Sequence, residues 1–195
     1  EYDITVRDIL ELDSSNIQPE EWKIIAEAIY DHRNEYDGIV VSHGTDTMAY
    51  TASMLTFMLQ HINIPVVLTG SQVPMNVILS DAPDNLRLAF AAAANCEPGV
   101  YIAFNRKVMR GCRSVQVRTT AFDAFESVNV PPVGEVTSDG FSIREHQHPQ
   151  PGKSQLNTKI DTHVSLVKLF TGFDPALLHA MAKNGCHGIV IEAYG

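Results

Sequence analysis

The sequence predicts an α/β fold: an open, mostly parallel sheet flanked by helices, followed by the start of a second, smaller α/β domain. Three observations lead there. Short apolar runs of strand length alternate with longer segments of helical period. That rhythm argues for a parallel sheet covered on both faces, with right-handed crossovers between its strands. One strand, Gly38-Ile39-Val40-Val41, ends in Ser42-His43-Gly44-Thr45-Asp46-Thr47 just before a helical stretch. The carboxyl ends of strands are where open α/β sheets bind ligands.

The elements follow in order. Tyr2 to Val6 alternates apolar and polar and reads as a short strand. Pro19 to His32 is a helix: Pro19, Glu20 and Glu21 open it, and Trp22, Ile25, Ala26 and Ile29 share one face. Gly38 to Ser42 is a strand and Thr47 to Gln60 a helix. Pro65 to Thr69 is a strand running into Gly70-Ser71-Gln72, Asp84 to Ala94 an alanine-rich helix, and Gly99 to Phe104 a strand. From Lys107 to Val136 the pattern is irregular, broken by Gly111, Pro131, Pro132 and Gly134. Val164 to Leu169 (strand), Pro175 to Asn184 (helix) and Gly188 to Ile191 (strand) then begin a new α/β unit. The expected division is an N-terminal domain over 1–140, a linker over 141–160 rich in Pro, Gln and Ser, and the beginning of a C-terminal domain over 161–195. The chain opens on Glu1 and closes on Tyr194-Gly195 straight after an apolar strand, so both ends read as cut.

Composition narrows the function classes. Hydrophobic residues are 45% and charged residues 19%, ordinary for a globular protein. The apolar runs fall far short of the ~18 residues of a membrane helix, so no membrane role is expected. A net charge of -9 without a long basic run argues against a nucleic-acid partner. Three widely spaced cysteines, Cys96, Cys112 and Cys186, form no C-x-x-C pair, which disfavours a disulfide framework or a zinc site and suits reduced thiols in the cytoplasm. The eight histidines show no metal spacing; His146 and His148, two apart beside Pro149 and Pro151, read as a solvated loop. No metal site is expected.

Four clusters could carry chemistry. Thr45 and Asp46 are favoured helix-capping types. Capping explains one of them, but not the crowding of Ser42, His43, Thr45, Asp46 and Thr47, so this is read as a functional site. Hydroxyls and a carboxylate beside the first free N–H groups of a helix suit an anionic group or a developing oxyanion. Asp13-Ser14-Ser15-Asn16 taken alone is a polar turn. Gly70-Ser71-Gln72, with Ser80-Asp81-Ala82-Pro83 after it, either supplies backbone donors or simply connects. Asn105 to Arg113, with four cations, reads as a solvated β-hairpin whose charges could balance Asp46 and Asp13. No G-x-G-x-x-G, G-x-x-x-x-G-K-[ST] or G-x-S-x-G occurs, which disfavours nucleotide binding and a serine hydrolase.

Val40-Val41-Ser42-His43-Gly44-Thr45-Asp46-Thr47-Met48-Ala49-Tyr50 resembles the H-G-T-D-T signature of the L-asparaginases. Leu12-Asp13-Ser14-Ser15, Val67-Leu68-Thr69-Gly70-Ser71-Gln72, Ser80-Asp81-Ala82-Pro83, Asn85-Leu86 and Phe122-Asp123-Ala124-Phe125-Glu126-Ser127 are similar, in the same order, to its cytoplasmic (type I) branch. The resemblance implies a two-domain amidohydrolase that converts free L-asparagine to L-aspartate and ammonia through a threonine nucleophile, as a homodimer or homotetramer, without metal or cofactor. It implies that Thr45 and Asp46 are catalytic. It also implies that Asp13, Ser14, Ser15, Thr45, Asp46 and Ser71 bind substrate, Ser14 holding the α-carboxylate and Asp46 the α-ammonium. A free amino acid carries both charges, so a carboxylate and a set of donors are what its site needs.

Two departures qualify the likeness. The family's G-G-T-I segment, with its own threonine, is expected upstream of Glu1. In the G-x-R-x-x-K pattern, Gly111-Cys112-Arg113-Ser114-Val115-Gln116 puts Gln116 where lysine is expected. An amide cannot serve as a base, and loss of a general base costs roughly 10²–10⁴-fold. Arg118 would share a face with Gln116 on a continuing strand and could replace the charge but not the base. The chain as given is therefore expected to be an incomplete catalyst. Two alternatives stand beside asparaginase: a catalytically altered amino-acid-binding homologue, and the amidase subunit of a tRNA-dependent amidotransferase.

Overall fold

The computed structural model describes residues 2–144 and 152–194. The chain divides into two compact units between Thr158 and Lys159.

The first unit opens irregularly. Tyr2 to Val6 is not a strand: Tyr2 is 52% exposed and Val6 81%, and among the described residues the segment has no strand partner. Alternation alone does not make a strand without a paired neighbour. A 3-10 turn, Ser14–Asn16, leads into α1, Pro19–His32. The carboxylate of Glu21 accepts the Gln18 N–H at 2.7 Å, and Pro19 supplies the preset φ of a first helical residue. Ile25, Ala26 and Ile29 are buried as their spacing requires.

Strand β1 is Ile39–Ser42 and helix α2 is Thr45–Met58. The helix starts two residues earlier than the pattern suggests because Gly44 is its N-cap, which places Thr45 and Asp46 inside the first turn. It also stops earlier, since Leu59–Gln60 forms a short strand, β2. Strand β3, Pro65–Thr69, is buried throughout. Helix α3, Ala82–Asn95, and strand β4, Gly99–Phe104, complete the regular α/β part.

The irregular stretch turns out to be antiparallel. Asn105 and Arg106 make the turn, with φ of 44° and 64°, into β5, Lys107–Arg110. Asn is well suited to such a left-handed turn position. The resulting hairpin is not solvated: Val108 and Met109 are fully buried, one toward each face, so β5 is an interior strand. A 3-10 turn, Gly111–Arg113, leads to β6, Ser114–Gln116, which pairs with β7, Phe125–Ser127. Strands β8, Gly134–Thr137, and β9, Gly140–Ile143, follow. β10, Gln155–Leu156, pairs antiparallel with β2.

The main sheet has the order β1-β3-β4-β5-β8-β9, parallel from β1 to β4 and antiparallel beyond. Val67, Ala103 and Val108 pack with Leu88, Ala89, Ala92 and Ala93 of α3. Small alanines let that helix lie close to the sheet. Val66, Leu68, Ile102, Phe104 and Met109 alternate with them onto the opposite face, and α2 packs against β3 and β4 with Met48, Ala52 and Leu55 buried. The site-bearing ends of β1 and β3 are thus held by a helix-covered core.

The second unit contains β11, Val164–Lys168, helix α4, Ala176–Lys183, and β12, Gly188–Glu192. β11 and β12 are parallel, with Val164 opposite Gly188. Among the described residues no helix is long and apolar enough to cross a membrane.

Candidate active site

Parallel pairing of β1 and β3 sets Ser42 opposite Thr69, and the His43 N–H continues the ladder to the Thr69 carbonyl at 2.8 Å. The two strands therefore release their chains side by side, one toward Gly44-Thr45-Asp46 and the other toward Gly70-Ser71-Gln72. Contact here is main chain on main chain: a Cβ on Gly70 would stand 2.1 Å from the His43 carbonyl oxygen. Only glycine fits such an approach.

The Ser14–Asn16 turn docks on the start of α2. The Thr47 hydroxyl donates to the Ser14 carbonyl at 2.8 Å, and a Cβ on Gly44 would lie 2.4 Å from Ser14 Oγ. Ser14 is buried, while Asp13 and Ser15 are exposed beside it. Asp13 accepts the Ser15 N–H at 2.9 Å and the Ser15 hydroxyl at 2.8 Å, and these bonds hold its carboxyl below the usual carboxylate range. The turn predicted from Asp13-Ser14-Ser15-Asn16 is thus present, and it is packed against the H-G-T-D-T segment.

Thr45 is half-buried and Asp46 exposed; among the described residues neither side chain has a hydrogen-bond partner. Neither caps the helix, which removes the capping account of both. The N–H groups of Thr45, Asp46 and Thr47 belong to the first turn, where no intrahelical acceptor exists. Asp46 takes part in no ion pair among the described residues, so the cations of Asn105 to Arg113 do not balance it directly.

His43 is held from both ring nitrogens. Trp22 Nε1–H donates to Thr51 Oγ1 at 3.0 Å, leaving the Thr51 hydroxyl to donate to His43 Nε2 at 2.9 Å. His43 Nδ1–H then donates to the Gly44 carbonyl at 2.7 Å. The Gly44 carbonyl can only accept, so the proton of the neutral ring sits on Nδ1. Burial lowers the imidazole pKa, and the bond to Gly44 opposes this only in part.

The Gly70 loop is fixed by Asp81 and Asn85. The Asp81 carboxylate accepts the N–H groups of Gln72 (3.1 Å) and Val73 (3.0 Å) and the Asn85 amide (2.9 Å). Those two backbone donors are therefore taken, whereas among the described residues the Ser71 hydroxyl has no hydrogen-bond partner. Asn85, 3% exposed, also donates to the Gly70 carbonyl at 3.0 Å and accepts the Asn105 N–H at 2.9 Å. One amide thus ties together the exits of β3 and β4. Sequence reasoning found Asn85 only as part of the resemblance; its spacing of four from Asp81, on the first turns of α3, was the available signal.

Gln116 closes β6, and its amide donates to the Arg118 carbonyl at 3.3 Å. Arg118 does not share its face on a continuing strand. The N–H groups of Val117 and Arg118 both reach the Ala124 carbonyl, an irregularity that ends the ladder. The Arg118 guanidinium pairs instead with Asp123 at 3.3 Å and Glu126 at 3.0 Å. His146 and His148 lie outside the described residues.

Fold and site together define an α/β domain that gathers polar side chains at the carboxyl ends of its parallel strands, the place where open α/β sheets bind ligands. The profile of the asparaginase N-terminal family matches residues 1–149. The chain is 44% identical over 192 residues to the L-asparaginase of Thermococcus kodakarensis, covering 98% of this chain and 58% of that protein. It is 38% identical over 199 residues to L-asparaginase 1 of Escherichia coli strain K12, covering 99% and 58%. The solved structure of the thermostable L-asparaginase from Thermococcus kodakarensis superposes with a TM-score of 0.93, covering 99% of this chain and 58% of that one. This chain belongs to the asparaginase family, and it spans little more than half the length of these relatives.

Proposed function

We propose that this protein is a cytoplasmic, type I L-asparaginase-like amidohydrolase that releases ammonia from free L-asparagine. The docking of the Ser14 turn onto Gly44 and Thr47 carries the reading, because it sets an acid, hydroxyls and free helix N–H groups around one strand exit. Asp46 would take the α-ammonium and the Ser14 turn the α-carboxylate, with Asp13, Ser15 and Ser71 completing the contacts. A threonine hydroxyl attacks the side-chain amide carbon, ammonia leaves, and water then frees aspartate from the acyl-enzyme. Thr45 and Asp46 act in that step, and first-turn N–H groups stabilise the oxyanion; one such donor is typically worth about 3 kcal/mol. No cofactor is needed. The working form is a homodimer or homotetramer, with residues 1–140 as the main domain, 141–160 as linker and 161–195 opening the second domain.

Ammonia release by the full-length protein, assayed with L-asparagine and with asparagine blocked at its α-amine, tests this. Turnover of the free amino acid alone is expected; equal turnover of both would overturn the zwitterion assignment.

One observation favours a second reading, an amino-acid binder with altered turnover. Gln116 stands at the expected lysine position, and Arg118, committed to Asp123 and Glu126, does not supply the missing charge. Asparagine binding by calorimetry without ammonia release would select it.

A further inference from the structure

We propose that Asp161, His163 and His187 bind one divalent transition-metal cation, of the zinc type, at the amino edge of the β11–β12 sheet. One ligand atom from each residue lies within 4.8 Å of the other two. Asp161 Oδ2 is 2.9 Å from His187 Nδ1, and Asp161 Oδ1 is 3.6 Å from His163 Nδ1. A tetrahedral cation with bonds of about 2.0–2.1 Å holds neighbouring ligand atoms about 3.3 Å apart, and the carboxylate comes to a similar distance from each imidazole nitrogen, through one oxygen to each. The imidazole centroids are 4.7 Å apart, so both rings already converge.

The backbone beneath is ordered for the purpose. His163 and His187 directly precede β11 and β12, and the His187 N–H donates to the His163 carbonyl at 2.7 Å. Asp161 accepts the His163 N–H at 2.9 Å, which fixes the carboxylate over the same point. All three side chains are exposed, so a cation can reach them from solvent, exchanging the His187–Asp161 hydrogen bond for bonds to the ion. Two imidazoles and one carboxylate suit zinc, cobalt, nickel or copper better than magnesium or calcium, which favour all-oxygen sets. The cluster lies at the amino ends of its strands, whereas α/β sheets place substrate chemistry at the carboxyl ends. The bound ion would fasten the segments that lead into β11 and β12 to each other. Acidification releases it, because protonated imidazole cannot ligate.

Zinc titration of the chelator-stripped chain by calorimetry, with cobalt absorption as a second readout, tests this in wild type, His163→Ala, His187→Ala, the double variant and Asp161→Asn. One zinc per chain with micromolar or tighter affinity is expected in wild type, with a loss of about 10–100-fold in each variant. Tetrahedral cobalt bands should appear in wild type and vanish in the double variant. Because the three residues are exposed, far-UV circular dichroism should be unchanged. Wild-type affinity and stoichiometry in the double variant, or no binding below millimolar zinc in wild type, would overturn the site.

Discussion

Thr47 reaches back across 33 residues to donate its hydroxyl hydrogen to the carbonyl of Ser14. The bond joins the turn ahead of α1 to the first turn of α2, and it leaves Thr45 and Asp46, on the same turn, unengaged among the described residues. One hydroxyl of the turn is committed to holding the structure, and its two neighbours are not.

Thr45→Ala and Asp46→Ala should therefore separate activity from stability. Each is expected to lower ammonia release by the full-length protein at least ~10²-fold. Thermal unfolding should move little, since loss of an acid from a first turn costs about 0.3–1 kcal/mol. Wild-type rates in both variants would remove them from the site.

Gln116→Lys is expected to raise turnover, because lysine can carry the proton that an amide cannot. The comparison is kcat at saturating asparagine for the two full-length proteins. A lower or unchanged value would mean that another group does this work.

Gly70→Ala and Gly44→Ala should both cost stability. At Gly70 the new methyl meets a carbonyl oxygen at 2.1 Å, and backbone must shift. Urea titration should show a loss of about 1–3 kcal/mol or more. At Gly44 the methyl meets the buried Ser14 side chain, Oγ at 2.4 Å and Cβ at 2.7 Å, so the Ser14 turn must move. Stability there should fall by about 1–3 kcal/mol, and asparagine affinity should fall with it because the turn is displaced.

Asn85→Ala strips three partners from a buried position: Gly70, Asp81 and Asn105. The Asp81 carboxylate keeps its bonds to Gln72 and Val73, so two groups are orphaned; at about 1–3 kcal/mol each, a total of about 2–6 kcal/mol is expected from urea titration. A loss under ~1 kcal/mol would mean that the loops repair themselves.

His43 gives the pH dependence a sign. Its folded-state pKa lies below the ordinary value of 6.5 because burial disfavours the imidazolium. Between the two values the unfolded chain binds more protons, so stability rises with pH through that window. The melting temperature should fall as pH drops below 6.5, and His43→Asn should flatten that part of the profile. An unaltered profile would assign the dependence elsewhere.

The regular α/β part was legible because period and punctuation agree there. Pro19 opens α1 and the helix ends at His32 as expected; β3 and β4 fall on their predicted spans. The antiparallel strands between Lys107 and Ile143 are three or four residues long and carry polar residues, so pairing rather than pattern defines them. Tyr2 to Val6 shows the converse, a pattern with no partner. At the candidate site, Thr45 and Asp46 were visible through local crowding. The Ser14–Thr47 and Trp22–Thr51–His43 links were not, because bonds over 29 and 33 residues leave no local trace. Asp81 read as part of a loop that either supplies donors or simply connects, and Asn85 entered only through the resemblance; only the fold reveals which loop they hold.

The close pass of Gly70 beneath His43 has a bearing on engineering. Where two backbones touch this closely, the spacing between the exits of β1 and β3 belongs to the scaffold and not to the side chains around it. Recasting Ser71 or Asp46 would leave that spacing alone; it would yield only to a change in how β1 and β3 pair.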